Sequence, residues 1–151
     1  MPSYSVTIRN GDLNDERKAA IARAITCVHG EVTGTPSYMA QVIFNEIEPH
    51  CYFLGGERLE KRQIFVHGFT RLGRTRQTKD ELIARLTSEV AAAAGSGGGS
   101  VWVYISEMPA RQMVEFGRAL PEPGDEIAWN DAWSPSEKAH FATIGVSDVR
   151  H

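Results

Sequence analysis

Residues 64–69, Ile64-Phe65-Val66-His67-Gly68-Phe69, read as a β-strand, because β-branched and aromatic side chains dominate and no proline interrupts them. Downstream, Leu82, Ile83, Leu86 and Val90 recur at helical spacing. Thr78 and Glu81 stand as in a capping box, which predicts the helix start there, and Ala91 to Ala94 carry the helix to Gly95. The run Gly95-Ser96-Gly97-Gly98-Gly99-Ser100 reads as a mobile connection into Val101-Trp102-Val103-Tyr104-Ile105, a second strand. A strand, a helix and a return strand form a βαβ unit, whose right-handed crossover makes the two strands parallel.

The same order occurs upstream. Tyr4-Ser5-Val6-Thr7-Ile8 predicts a strand that ends at Asn10-Gly11, and Asn14 opens a helix. Its apolar stripe is Ala20, Ile21, Ala24, Ile25 and Val28, with Gly30 where a C′ glycine belongs. A loop through Thr33-Gly34-Thr35-Pro36 leads to a strand over Tyr38 to Ile47, and a turn-rich stretch with Pro49 and Gly55-Gly56 follows. Two βαβ units, about 1–48 and 62–107, joined edge to edge predict an α/β fold: a four-stranded sheet with both helices on one face. The other face also carries apolar residues and needs a cover, which points to an oligomer. Residues 1–151 read as a single domain with a C-terminal extension, 108–151. That extension is expected to begin with a helix over Ala110 to Leu120, behind Pro109, and to end at Pro121, Pro123 and Gly124. A further helix starts at Ser134-Pro135-Ser136-Glu137 and runs to about Thr143. This tail, with Trp129 and Trp133, is expected to pack over a neighbouring subunit.

Composition narrows the function classes. The chain has 151 residues, 42% of them hydrophobic, and a net charge of −3, which disfavours nucleic acid as the main partner. No apolar run approaches the ~20 residues of a membrane span. The start lacks a basic n-region and an apolar h-region, so no signal peptide is expected and the cytoplasm is the expected compartment. Cys27 and Cys51 have neither metal-ligand spacing nor a disulfide pattern, so free thiols and no metal are expected. No Lys-Ser/Thr follows the glycine run, so it is not a phosphate loop, and nothing calls for a cofactor.

Several residues bear on chemistry. If Met1 is removed, Pro2 becomes a secondary amine on a rigid ring, with an α-amino pKa of about 7.7–8.0 that makes it an acid or a base near neutrality. If Met1 is kept, Pro2 is an amide without basicity. Arg71 and Arg74, in Arg-Leu-Gly-Arg, can grip a carboxylate with forked hydrogen bonds, although loop arginines, Arg76 among them, are commonly just solvated. Glu115 is either a buried carboxylate that activates water or one half of a surface pair with Arg111, four residues earlier. His29 at the end of the first helix gains from the helix dipole. Tyr104 alternates with strand residues, and His67 reads as structural.

Together, Pro2, His29-Gly30, Phe65-Val66-His67-Gly68, Arg71-x-Gly-Arg74 and Val101-Trp102-Val103-Tyr104 resemble the tautomerase superfamily. More narrowly, Glu107-Met108-Pro109-Ala110 and Gln112-Met113-Val114-Glu115-Phe116-Gly117-Arg118 are similar to the cis-3-chloroacrylic acid dehalogenase family. The resemblance covers nearly the whole chain and is weakest over 57–63 and 95–100. It implies a homotrimer of β-α-β-β-α-β subunits acting on a small carboxylate substrate. It also implies Pro2 as the catalytic amine, Arg71 and Arg74 as carboxylate binders assisted by His29, and Glu115, aided by Tyr104, as the activator of water. Water would add to the β-carbon of the unsaturated acid, Pro2 would protonate the α-carbon, and loss of halide would leave malonate semialdehyde.

Thr70 stands where the dehalogenases have a histidine, and the loop Thr35-Pro36-Ser37-Tyr38-Met39 also differs. Members with the same six residues include dehalogenases, hydratases, decarboxylases and phenylenolpyruvate tautomerases. Charge separates the main alternatives: as the acid in water addition Pro2 must be protonated, and as the base in keto–enol tautomerisation it must be neutral. The arginines lower its pKa and Glu115 raises it. A non-catalytic trimer that binds a partner or small anion is the reading if Met1 is retained.

Overall fold

The structure, a computed structural model, describes residues 2–35 and 39–143. Met1, residues 36–38 of the loop that departs from the family pattern, and residues 144–151 lie outside the described residues.

Strand β1 (Ser3–Arg9) alternates buried and half-buried residues, with Tyr4, Val6 and Ile8 on the inner face. Helix α1 (Asp15–Thr33) begins at Asn14, whose side chain accepts a hydrogen bond from the Arg17 N–H at 2.9 Å. It does not end at Gly30. It runs one turn further to Gly34, where φ is 70° and the backbone N–H donates to the Gly30 carbonyl. A glycine inside a helix costs only about 1 kcal/mol, and the left-handed cap falls at the second glycine instead. His29 therefore sits inside the helix, buried, and not at its exposed end.

Strand β2 (Gln41–Ile47) is followed by a single 3-10 turn at Pro49–Cys51 and a small hairpin, β3 (Phe53–Leu54) and β4 (Glu57–Arg58), turning on Gly55 and Gly56. Strand β5 (Ile64–Arg71) leads to α2 (Arg76–Ala94). The cap of α2 is Thr75, whose hydroxyl accepts from the Thr78 N–H, so the helix starts before the expected Thr78–Glu81 box. It ends at Gly95 with φ 65°. The glycine run is a turn: Gly98–Ser100 is one 3-10 turn, and the Ser100 hydroxyl donates to the Gly97 carbonyl at 2.7 Å. Strand β6 (Val101–Met108) completes the sheet.

The sheet order is β2-β1-β5-β6. β1 is parallel to β2, β5 is parallel to β6, and the two units meet where β1 and β5 run antiparallel, with Val6 opposite Val66. Ile21, Ile25 and Val28 of α1 and Leu82, Leu86 and Val90 of α2 bury against Tyr4, Val6, Ile8, Ile64, Val66 and Val101. The opposite face is open. There Phe65, His67 and Phe69 form a ring ladder, Tyr104 meets Phe65 edge-on at 5.0 Å, and Ile43, Trp102 and Tyr104 are exposed.

The segment after Pro109 departs from expectation. Instead of a helix over Ala110–Leu120, there is a 3-10 turn at Ala110–Gln112 and a hairpin, β7 (Val114–Glu115) and β8 (Arg118–Ala119). Its two turn residues, Phe116 and Gly117, have φ 52° and 80°, the geometry of a tight two-residue hairpin and incompatible with a helix. Glu115 is thus a strand residue, and Arg111 is not its helical neighbour. Next come α3 (Glu126–Asp131), which the sequence did not announce, and α4 (Pro135–Thr143). At the start of α4, Ser134 and Glu137 exchange hydrogen bonds as a capping box. Trp133, Phe141 and Phe116 pack together, with the Arg118 guanidinium 4.0 Å from the Trp133 ring centre.

Candidate active site

The chemistry-bearing residues converge at the end of the sheet where β1 begins and β5 ends. Pro2, His29, Arg71 and Arg74 line one cavity together with Thr35, Met39, Thr70, Leu120 and Pro121. Pro2 precedes β1 and is buried, and its carbonyl accepts from the Gln41 N–H at 2.9 Å, which fixes it to the edge of β2. Arg71 is the last residue of β5, and Arg74 follows the turn at Gly73, where φ is 115°. The cavity leaves room for about one water molecule.

Both guanidiniums are held. Arg74 donates to the Arg71 carbonyl and to the Thr35 hydroxyl, each at 3.2 Å, and Thr35 is itself bonded to Thr33. Burial, with the neighbouring Arg71, pushes the Arg74 pKa below its ordinary value. Arg71 is 4% exposed, and it donates to the Pro121 carbonyl and to a carboxylate oxygen of Glu126. The other Glu126 oxygen accepts from the Gly124 N–H at 2.8 Å. Burial pushes the Glu126 pKa up, but the hydrogen bonds from Arg71 and from backbone N–H groups outweigh it and hold the carboxyl below its usual range. The tail thus folds back over its own chain's cavity, with Leu120 and Pro121 as part of the lining.

His29 is neutral. Burial, then the positive charges of Arg74, the amino terminus and Arg71, push its pKa down to about 3. Its Nδ1 lies 2.6 Å from the Tyr4 hydroxyl, while its Nε2 is buried with no hydrogen-bond partner among the described residues. An unmet buried donor or acceptor costs about 1–3 kcal/mol, so this nitrogen has a hydrogen bond left to make.

Glu115 lies next to this cavity, in a depression lined by Gln41, Val114 and Phe116. Gln41 links the two sites through its bond to Pro2. Burial raises the Glu115 pKa, opposed by the amino-terminal charge and by Arg71. Tyr104 is not in the cavity of its own chain. It is 55% exposed on the open sheet face, opposite His67 in the β5–β6 register. Among the described residues no group of three or more His, Cys, Asp and Glu side chains could hold a metal ion, and no helix is long and apolar enough to cross a membrane.

Sequence reasoning missed Tyr4 and Glu126. Tyr4 shares the inner face of β1 with Val6 and Ile8, so period-two alternation could have aimed it at the helix that carries His29. Glu126 had no such signal, because its role depends on where the tail folds.

A family model described as "Putative oxalocrotonate tautomerase enzyme" matches residues 1–137. The chain is similar to the solved structure of N1, a member of the cis-3-chloroacrylic acid dehalogenase family, with 36% identity over 93% of this chain and 99% of that one and a TM-score of 0.88. It is also similar to a fused 4-OT symmetric trimer, at 25% identity over 78% and 94% of the two chains and TM-score 0.70. A malonate semialdehyde decarboxylase inhibited by 3-bromopropiolate shares the fold, at 24% identity over 87% and 98% and TM-score 0.68. No curated protein sequence matches the chain.

Proposed function

The chain belongs to the cis-3-chloroacrylic acid dehalogenase family of the tautomerase superfamily, and on that premise we propose that it adds water to a short α,β-unsaturated acid, halogenated or not. The observation that carries this reading is the convergence of Pro2, His29, Arg71 and Arg74 on one cavity, with Glu115 beside it.

In this reading Met1 is removed and Pro2 presents a secondary amine. The substrate carboxylate takes Arg74 and Arg71 and receives a hydrogen bond from His29, which sets the double bond between Glu115 and Pro2; much of the rate comes from that alignment. The Glu115 carboxylate removes a proton from water, the oxygen bonds to the β-carbon, and the α-carbon takes a proton from the Pro2 ammonium. With a β-chloro substituent the resulting halohydrin expels chloride and gives up its hydroxyl proton to the now neutral Pro2 amine or to water, leaving malonate semialdehyde. The cavity must open to admit a three-carbon acid, because it leaves room for about one water as it stands. Tyr104 faces away from its own chain's cavity, so it can assist only a site on a neighbouring copy. The open sheet face that carries it is the surface a homotrimer would cover.

A second reading, ketonisation of an enol with Pro2 as base, is favoured by one observation: Arg71 and Arg74 line the same cavity as Pro2, and cations beside an amine favour its neutral form. Glu115→Gln separates the two. Chloride release from cis-3-chloroacrylate should fall at least ~100-fold, as for loss of a general base, while ketonisation of phenylenolpyruvate is spared. Equal loss of both activities would remove the water-activating role.

A further inference from the structure

We propose that Tyr4 is a positioning residue that fixes His29 in the tautomer with its proton on Nε2, so that His29 meets the bound acid as a neutral hydrogen-bond donor. The inference rests on reading the cavity as the reacting site, and it names what His29 does there.

The tautomer follows from proton bookkeeping. Tyr4 is fully buried, and its hydroxyl lies 2.6 Å from His29 Nδ1. His29 Nδ1 is the one hydrogen-bond partner of that hydroxyl among the described residues. If the hydroxyl accepted from Nδ1–H, its own proton would be buried without an acceptor. If it donates to Nδ1, the hydroxyl proton is placed and the ring's remaining proton sits on Nε2, which has no partner among the described residues and belongs to a side chain lining the cavity, where a bound acid can accept it. Burial and the Arg74 and Arg71 guanidiniums disfavour a second ring proton. Nε2 is the buried, unpartnered atom, and His29 lines the cavity. An N–H on that atom can donate to a carboxylate or an enediolate oxygen and cannot serve as a base.

The pair is locked by packing. A Cβ at Gly68 would come 2.5 Å from Tyr4 Cε1, so the tyrosine ring can approach β5 this closely only because that residue is glycine. His29 is fixed from the other side by its place in α1, where the Thr33 hydroxyl bonds its carbonyl at 2.7 Å.

The test is the imidazole nitrogen spectrum of the 15N-histidine-labelled, full-length protein. For His29 we expect an unprotonated Nδ1 and a protonated Nε2, unchanged from pH ~8 to ~5, the range in which a free imidazole titrates. Tyr4→Phe keeps the ring and removes the hydroxyl. It should mix the two tautomers and lower kcat/KM about tenfold for whichever activity the enzyme shows, with the fold unchanged by circular dichroism. His29→Gln, whose amide places an N–H near the Nε2 position, should retain more activity than His29→Asn. A protonated Nδ1 in the wild-type spectrum overturns the proposal, as does a Tyr4→Phe protein with wild-type tautomer and kinetics. If Tyr4→Phe does not fold, the wild-type spectrum and the Gln/Asn order decide. Failure of the water-addition reading is seen separately, in Glu115→Gln, and leaves the tautomer assignment intact.

Discussion

At the scale of single residues, the site is defined by what burial does to charge. His29 is uncharged in the folded chain because desolvation and three nearby cations oppose the imidazolium, with a pKa of about 3. In the unfolded chain it titrates near 6.5. The folded state therefore binds fewer protons than the unfolded one between these values, so stability is complete above ~6.5 and lost as pH falls toward ~3. Denaturant titrations should show a loss of about 1.4 kcal/mol per pH unit between pH ~6.5 and ~4.5, a window above most carboxylate titrations. In His29→Gln that slope should disappear, whereas an equal slope in the variant would mean that His29 is protonated in the native state. That Arg71 and Arg74 share one short loop was legible in the sequence, but not their unequal surroundings. Arg74 leans on Thr35, and Arg71 is already paired with Glu126.

At the scale of elements, periodicity located both βαβ units, because a strand with one buried face and a helix with one buried stripe write their geometry into the sequence. It failed where local chemistry had two solutions. Gly30 and Gly34 both suit a left-handed cap, and only packing of the last turn of α1 chooses the second. Ala110 to Leu120 suits a helix at its start, because Pro109 fits the first helical position. Gly117, with φ 80°, sets a hairpin turn instead, and that turn puts Glu115 on β7, in the depression lined by Gln41, Val114 and Phe116. The tail's docking was illegible because it depends on a contact between residues 55 apart in sequence, Arg71 and Glu126. Glu126→Gln should weaken that docking by about 1–3 kcal/mol, the range for a buried group that loses a charged partner. Amide hydrogen exchange should then quicken across residues 118–133 while β1 and β5 are unaffected. Unchanged exchange in the tail would show that the pair does not hold it down.

At the scale of the whole molecule, the sheet has one face buried under α1 and α2 and one face open, with Ile43, Trp102 and Tyr104 exposed on it. An open sheet face carrying large apolar side chains calls for a cover, and the alternation of residues along its strands already implies one. Sedimentation equilibrium should return about three times the 16.7 kDa chain mass, and Trp102→Asp should lower it. A wild-type monomer would leave Tyr104 without a cavity to serve.

The account turns on a titrating nitrogen at Pro2 that faces the arginines. Its most direct test is an NMR titration of the 15N-proline-labelled enzyme, with and without a short saturated carboxylate in the cavity. The account predicts a Pro2 nitrogen that titrates as an amine, protonated at pH 7, with a pKa that rises when the carboxylate offsets Arg71 and Arg74. A Pro2 nitrogen that does not titrate, or one whose titration ignores the bound carboxylate, would contradict it.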